Sequence, residues 1–447
     1  MVAGRGRPSQ SRALAAWMNG FLVGEWRIPR SAPMEFCYDQ SWLDNTESRR
    51  PLSLSLPLPL ENVPLRGAAV EHYFDNLLPD NGAIRLRLQS RFNTRNQGAF
   101  DLLTAIGRDC VGALQLLPTG VFPTNITEIN ATPLTDDRVA DALVGTVTPS
   151  RTMAHIADFD DEFRVSIAGA QEKTAFLLHN GQWCLPHGAT PTTHIFKLPL
   201  GIVGNMGADL RTSVENEWLC MRLLDKLGIP VARSEIKVFR DQKALVVERF
   251  DRLLADEGYW LRLPQEDFCQ VFGLPSELKY QKDGGPGMLE IAKVLQNSLA
   301  PDKDIDTFLR AQIVFTLLAA TDGHAKNFSL FLRAGGSYQL TPIYDVLSAW
   351  PIIGAGARQL AYQKATLAMA WKGKSTHYRL KEVEHRHFVA TARRCGYGDR
   401  IEATLAKLAQ AVPGAIDAVS RELPADFPGE VFTSITVGMT RMLNKLA

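Results

Sequence analysis

The spacing of hydrophobic positions changes along this chain and divides it into segments. Residues 1–12 are rich in glycine and arginine, with Pro8 and two serines, and have no apolar period, so a mobile tail is expected. Over residues 13–123 short apolar runs are broken by turn residues. Leu52-Ser53-Leu54-Ser55-Leu56 alternates strictly, as a half-buried strand does, and residues 112–117 are another strand candidate. Helical periods at residues 70–78 and 100–106 complete what reads as a small α+β domain. Residues 124–159, with Pro133, Pro149 and acidic runs, show little period and read as a linker or surface excursion.

Residues 160–250 turn to hairpins. Strands over 173–179 and 182–185 are joined by Asn180-Gly181, the pair a type I′ turn prefers because both positions take positive φ. A strand at 193–198 follows. Thr212 and Glu215 then stand at capping-box spacing and open a helix that runs to Lys226 and stops at Gly228-Ile229-Pro230. Strands at 235–239 and 244–248 complete a sheet with one helix packed on it. Residues 251–447 are mostly helical and include a largely apolar helix over 305–320.

Length and charge exclude little. With 447 residues the chain can bury a large core in more than one lobe. Its 49 Lys and Arg against 48 Asp and Glu create no global basic field of the kind that coats nucleic acid nonspecifically, although a local patch remains possible. The six cysteines are scattered with no Cys-x-x-Cys pair, which suggests neither zinc nor a disulfide framework and fits a reducing cytoplasm. No apolar run is long enough to span a bilayer, so a soluble protein without a membrane partner is expected.

The candidate chemistry begins at Asp322-Gly323-His324-Ala325-Lys326-Asn327, where a carboxylate and an amide stand five residues apart at the end of the apolar helix. Asn327 is the only asparagine with an aspartate at that distance before it, and Asp345 emerges from a second apolar run eighteen residues later. Two acids and an amide suit phosphoryl transfer: one carboxylate to orient and deprotonate a hydroxyl, an oxygen pair to hold magnesium beside ATP. An ordinary polar turn predicts the same loop composition. In the strand at 193–198, Lys197 is a lone cation among apolar residues and must find an anion; Glu217, on the helical face shared by Val214, Trp218, Met221 and Leu224, is the natural partner. That pair either aims the ammonium at phosphates or is a structural salt bridge. Small residues in Ala168-Gly169-Ala170-Gln171-Glu172-Lys173 would let backbone amides approach a polyphosphate, as would any hairpin turn. Ser166 is a turn hydroxyl or a phosphorylation site, Glu248-Arg249-Phe250 a candidate adenine-binding hinge, and His324, Lys326 and Tyr344 are placed with the nucleotide-binding set. A β-rich lobe followed by a helical one is a kinase-like, bilobal α+β architecture.

With these residues in hand, the chain closely resembles the HipA family of serine/threonine kinase toxins. The resemblance runs through residues 50–56, 73–79, 165–173, 192–199, 263–267, 284–287, 321–329 and 341–345. It implies an N-terminal coupling domain and a kinase that uses ATP and Mg2+ to phosphorylate serine on a translation component, glutamyl-tRNA synthetase in reference members. Carried over by motif, Asp322 would be the catalytic base, Asn327 and Asp345 the metal ligands, Lys197 a phosphate contact, residues 168–173 the phosphate loop and Ser166 the autophosphorylation site. The resemblance also implies a HipB-type helix-turn-helix antitoxin bound to operator DNA, with basic residues of the C-terminal region touching the phosphate backbone. A corepressor with dispensable kinase activity, or a small-molecule kinase using the same Asp-x-x-x-x-Asn spacing, are the competing expectations.

Overall fold

A computed structural model of the chain describes residues 12–147, 167, 169, 171–204 and 207–446. Residues 1–11, Ser166, Ala168 and Ala170 lie outside the described residues. The first part is an antiparallel five-stranded sheet in the order Leu65–Arg66, Glu35–Tyr38, Phe21–Ile28, Arg12–Met18, Leu114–Pro118. Helices Ala68–Asp75 and Ala99–Ile106 supply the facing core. Trp26 stacks on Phe74 with ring centroids 4.0 Å apart, and Phe100 tilts against it at 4.9 Å. The alternating Leu52–Leu56 stretch is not a ladder strand. It closes on itself through a Ser53–Leu56 bridge, and its polar groups bond outward: Leu54 N–H to Glu266 Oε1 at 2.9 Å and Ser55 Oγ to the Gln270 carbonyl at 2.6 Å. Alternation here serves a tight turn that buries Leu52 and Leu56 in one core while its serines seal against the other half of the chain.

A second, six-stranded antiparallel sheet follows, ordered Ser234–Phe239, Gln242–Glu248, His194–Lys197, Lys173–His179, Gln182–Pro186, Ala131–Pro133. Residues 131–147, expected as linker, belong to this lobe. Ala131–Pro133 is its edge strand, where proline removes no needed donor. Helix Asp136–Val147 buries Val139, Ala140 and Leu143 against Phe176, Phe196 and Phe239. The helix Ser213–Lys226 packs against the sheet, but the capping box does not form: Thr212 makes no side-chain cap, and Glu215 instead takes Lys243 Nζ at 2.6 Å.

The remaining chain is a helical lobe centred on Pro301–Leu317, which is buried on most sides and packs with Met288–Leu295 and Gly429–Leu446. A three-stranded sheet, Gln265–Asp267, Ser329–Leu332 and Tyr338–Leu340, carries the loops that face the second sheet. Among the described residues no helix is long and apolar enough to cross a membrane.

Buried charge fastens the first part to the rest. Asp109 accepts from Arg252 Nη2 at 2.8 Å, Arg262 Nη2 at 3.2 Å, Arg249 Nη1 at 3.3 Å and Thr192 Oγ1 at 2.6 Å. Asp251 pairs with Arg249 at 2.8 Å and accepts the Gly112 N–H at 2.7 Å. Burial alone would raise the Asp109 carboxyl, but the three guanidiniums reverse this and hold it well below the usual carboxylate range. Removing that carboxylate would leave buried guanidiniums uncompensated, which costs about 3–5 kcal/mol. Asp109→Ala is therefore expected to lower the urea midpoint by a large fraction of total stability, and an unchanged midpoint would show that the cluster does not hold the parts together.

Candidate active site

Lys197 ends the central strand His194–Lys197, flanked on both sides by neighbouring strands. Its Nζ donates to Glu217 Oε1 at 2.7 Å and to Asp345 Oδ1 at 2.5 Å. The expected partner Glu217 is in contact, and Asp345 joins from the loop after Tyr338–Leu340, so one cation ties sheet, helix and second lobe. Burial alone would depress Lys197, yet the two carboxylates hold it above the ordinary lysine value. Burial pushes the Glu217 carboxyl up to about 7 against the pull of Lys197. Asp345 is also penalised by burial, but Lys197 and Lys173 keep it well below the usual range. Its φ of 60° is a left-handed conformation that non-glycine residues adopt mainly where the surroundings enforce it.

Asp322 opens the loop after helix Pro301–Leu317 with a side chain 60% exposed, and its Oδ1 accepts the Tyr280 hydroxyl. His324 is buried beside it, with Nε2 3.9 Å from Asp322 Oδ1, and burial lowers its pKa against the pull of Asp322. Asn327 Nδ2 donates to the Asp345 carbonyl at 3.0 Å, while its Oδ1 is buried with no hydrogen-bond partner among the described residues. A buried acceptor left unmade is costly, and an oxygen-seeking cation beside Asp345 would satisfy it. Asn327 and Asp345 thus fit a magnesium ion that keeps most of its ligands from substrate and water; among the described residues no cluster of three or more His, Cys, Asp or Glu offers a cage.

The cavity between the lobes is lined by Lys173, Lys197, Phe250, Lys279, Asp322 and Asp345. Along its back wall the hinge expectation narrows. The Glu248 N–H donates to the Arg233 carbonyl at 2.9 Å and the Arg249 N–H to Thr193 at 2.8 Å, and the Arg249 guanidinium turns into the arginine cluster. Phe250 lies 5.7 Å from the Phe331 ring and 5.6 Å from that of Tyr344, forming an aromatic wall. The Tyr344 hydroxyl shares a hydrogen bond with Ser329 and donates to the Lys326 carbonyl at 2.9 Å. Lys326 lines the cavity, as expected, with its ammonium held by Asn76 Oδ1 at 2.7 Å and by the Asp267 carboxylate at 3.0 Å, since a buried ammonium needs an anion and acceptors around it.

In the small-residue loop, Gly169 sits at φ 114°, where a Cβ would meet Lys173 Nζ at 2.4 Å. Its carbonyl accepts the Asp80 N–H at 3.2 Å, Gln171 reaches the Leu198 carbonyl, and Glu172 pairs with Arg87. The sequence placed Lys173 among the ATP-binding residues of this loop, and the cavity lining includes it. It lies directly across from Lys197 in the antiparallel pair, and burial together with Lys197 pulls its pKa down to about 8. Only strand register reveals that juxtaposition. Lys279, bonded to Asp80 at 2.9 Å, and Tyr280 were missed, although glycines follow them closely.

Residues 14–117 match the HipA N-terminal domain and residues 165–416 the HipA-like C-terminal domain. The Sinorhizobium fredii protein named "Putative kinase Y4mE" is 34% identical over 366 residues, 80% of this chain and 82% of its own. A Shewanella oneidensis protein named serine/threonine-protein kinase toxin HipA is 28% identical over 356 residues, 76% of each chain. The solved structure of Shewanella oneidensis HipA with HipB and operator DNA superposes with a TM-score of 0.77 at 24% identity, covering 97% of both chains, which shows the shared α+β, kinase-like fold. Two matched domains in the right order, on a lysine–glutamate–aspartate frame that joins two lobes, carry one conclusion: this chain belongs to the HipA family.

Proposed function

We propose that the chain is an ATP- and magnesium-dependent serine/threonine-protein kinase acting as the toxin of a toxin–antitoxin pair. Its substrate is a serine of a translation component such as glutamyl-tRNA synthetase, and the outcome is growth inhibition and persistence in the cytoplasm. The observation that carries this reading is the buried Asn327 Oδ1 beside Asp345, without a hydrogen-bond partner among the described residues, in a cavity that also holds Lys173, Lys197 and Asp322. The Shewanella oneidensis relative, named as a kinase toxin, supports the activity. The HipA–HipB–operator complex with the same fold supports a HipB-type helix-turn-helix antitoxin and operator DNA as partners. Ser166 is the proposed autophosphorylation site.

In this reading Asp322 orients the substrate hydroxyl and takes its proton as the serine oxygen bonds to the γ-phosphorus and the bond to the ADP oxygen breaks. Lys173 and Lys197 neutralise phosphate charge where little water competes. Asn327 and Asp345 would hold magnesium, which when bound offsets charge on the triphosphate oxygens. Phe250 and Tyr344 offer the apolar face an adenine ring requires.

Asp322→Asn is expected to cut transfer from γ-labelled ATP to lysate proteins by roughly 10²–10⁴-fold while thermal midpoint and MgATP affinity hold. Wild-type transfer by this variant would overturn the reading. Of the two proposed phosphate-binding lysines, Lys173 is the one whose charge changes near neutrality: with a pKa of about 8 it is protonated below that pH and neutral above it. Since the protonated form binds phosphate, kcat/KM for ATP should fall as pH rises through about 8. Lys173→Arg should move that fall to higher pH, and an identical profile would remove Lys173 from phosphate binding.

A further inference from the structure

The glycine cluster Gly284-Gly285-Pro286-Gly287 has no part in the chemistry above, and its geometry leads to one. Gly284 sits at φ 103°, and a Cβ on Gly285 would meet the Leu278 carbonyl oxygen at 2.0 Å and that of Tyr280 at 2.9 Å. Only glycine allows this approach. The Gly285 and Asp283 N–H groups both donate to the Tyr280 carbonyl, at 3.0 and 3.1 Å, so the cluster folds back onto the Lys279–Tyr280 pair. That pair is also fastened on its far side. The Lys279 carbonyl accepts the Ala325 N–H at 3.2 Å, Lys279 Nζ reaches Asp80 at 2.9 Å, and the Tyr280 ring stands edge-on to His324 at 5.1 Å between centroids.

Held from both sides, the Tyr280 hydroxyl donates to Asp322 Oδ1, and it is the one hydrogen-bond donor to that carboxylate among the described residues. A side chain 60% exposed would otherwise rotate freely, whereas a general base must stay within about 3 Å of the proton it takes. We propose that Tyr280 is a positioning residue for phosphoryl transfer: its hydroxyl pins one carboxylate oxygen of Asp322 and leaves the other to receive the substrate hydroxyl. This rests on the reading of Asp322 as the base.

Tyr280→Phe keeps the ring against His324 and removes only the hydroxyl. In the full-length chain, with γ-labelled ATP and lysate proteins as acceptors, kcat is expected to fall roughly 10- to 100-fold while KM for ATP and the thermal midpoint stay within experimental error. A merely structural role would instead move KM or the midpoint along with kcat. Gly285→Ala displaces Tyr280 without touching its hydroxyl and should give the same loss confined to kcat. Wild-type kcat in Tyr280→Phe, or a loss that falls on KM, would overturn the proposal. Asp322→Asn assayed in parallel separates the two claims: if that variant stays active the base assignment itself fails, and if it is dead while Tyr280→Phe is fully active only the positioning role fails.

Discussion

An ammonium in a nearly water-free interior sets the geometry of this protein. Left alone there, Lys197 would cost several kcal/mol or lose its proton. Keeping it charged demands that Glu217 face inward from the helix under the sheet and that Asp345 arrive from the other lobe, both within hydrogen-bond distance. Once Asp345 is fixed, so is the loop that carries it, because its carbonyl accepts from Asn327 at 3.0 Å. The left-handed backbone at Asp345 is tolerated since both ends of the residue are held. Lobe register, the placing of Asn327 beside Asp345 and backbone strain are therefore consequences of neutralising one lysine.

The first domain is subject to the same logic and is no appendage. Its Asp109 sits among the guanidiniums of Arg249, Arg252 and Arg262, and its Asp80 and Asn76 hold Lys279 and Lys326 of the helical lobe. Asp80 also binds the Gly169 carbonyl through its N–H, so a single residue spans the small-residue loop and the segment bearing Tyr280. Buried charges in all three parts of the chain are satisfied only when the parts are assembled, which makes the cavity a property of the whole fold.

What the sequence made legible was whatever a local pattern determines. The hairpin at Asn180-Gly181 forms because both residues take positive φ, and Lys197 finds Glu217 because a lone cation in an apolar strand has few candidates. What stayed hidden depends on contacts distant in sequence. Leu52–Leu56 has strand alternation but pairs its serines with Glu266 and Gln270, a turn that no local pattern distinguishes from a strand. Thr212 and Glu215 have capping spacing, but Lys243 claims the glutamate. Residues 131–147 look like linker because their helix is acidic at its start and their strand ends in proline, while the apolar side that decides the matter is only Val139, Ala140 and Leu143. Lys173 was placed in the phosphate loop from sequence, but its position across from Lys197 follows only from strand register, and Tyr280 only from a glycine-enforced fold-back.

The two carboxylates on Lys197 are not equivalent, and the difference bears on how nucleotide would enter. The Glu217 side chain is 3% exposed and that of Asp345 33%, so the first is locked in and the second stands at the cavity mouth. Lys173 and Lys197 balance Glu217 and Asp345. On the proposed reading Asp345 would be a metal ligand and Lys197 would contact a phosphate oxygen, so Asp345 is the carboxylate that the ammonium could spare. Lys197 would then not be left unpaired, because Glu217 holds it independently of Asp345. A site with only Asp345 as partner would have to strand its lysine, and one with only Glu217 would have no carboxylate to offer the metal.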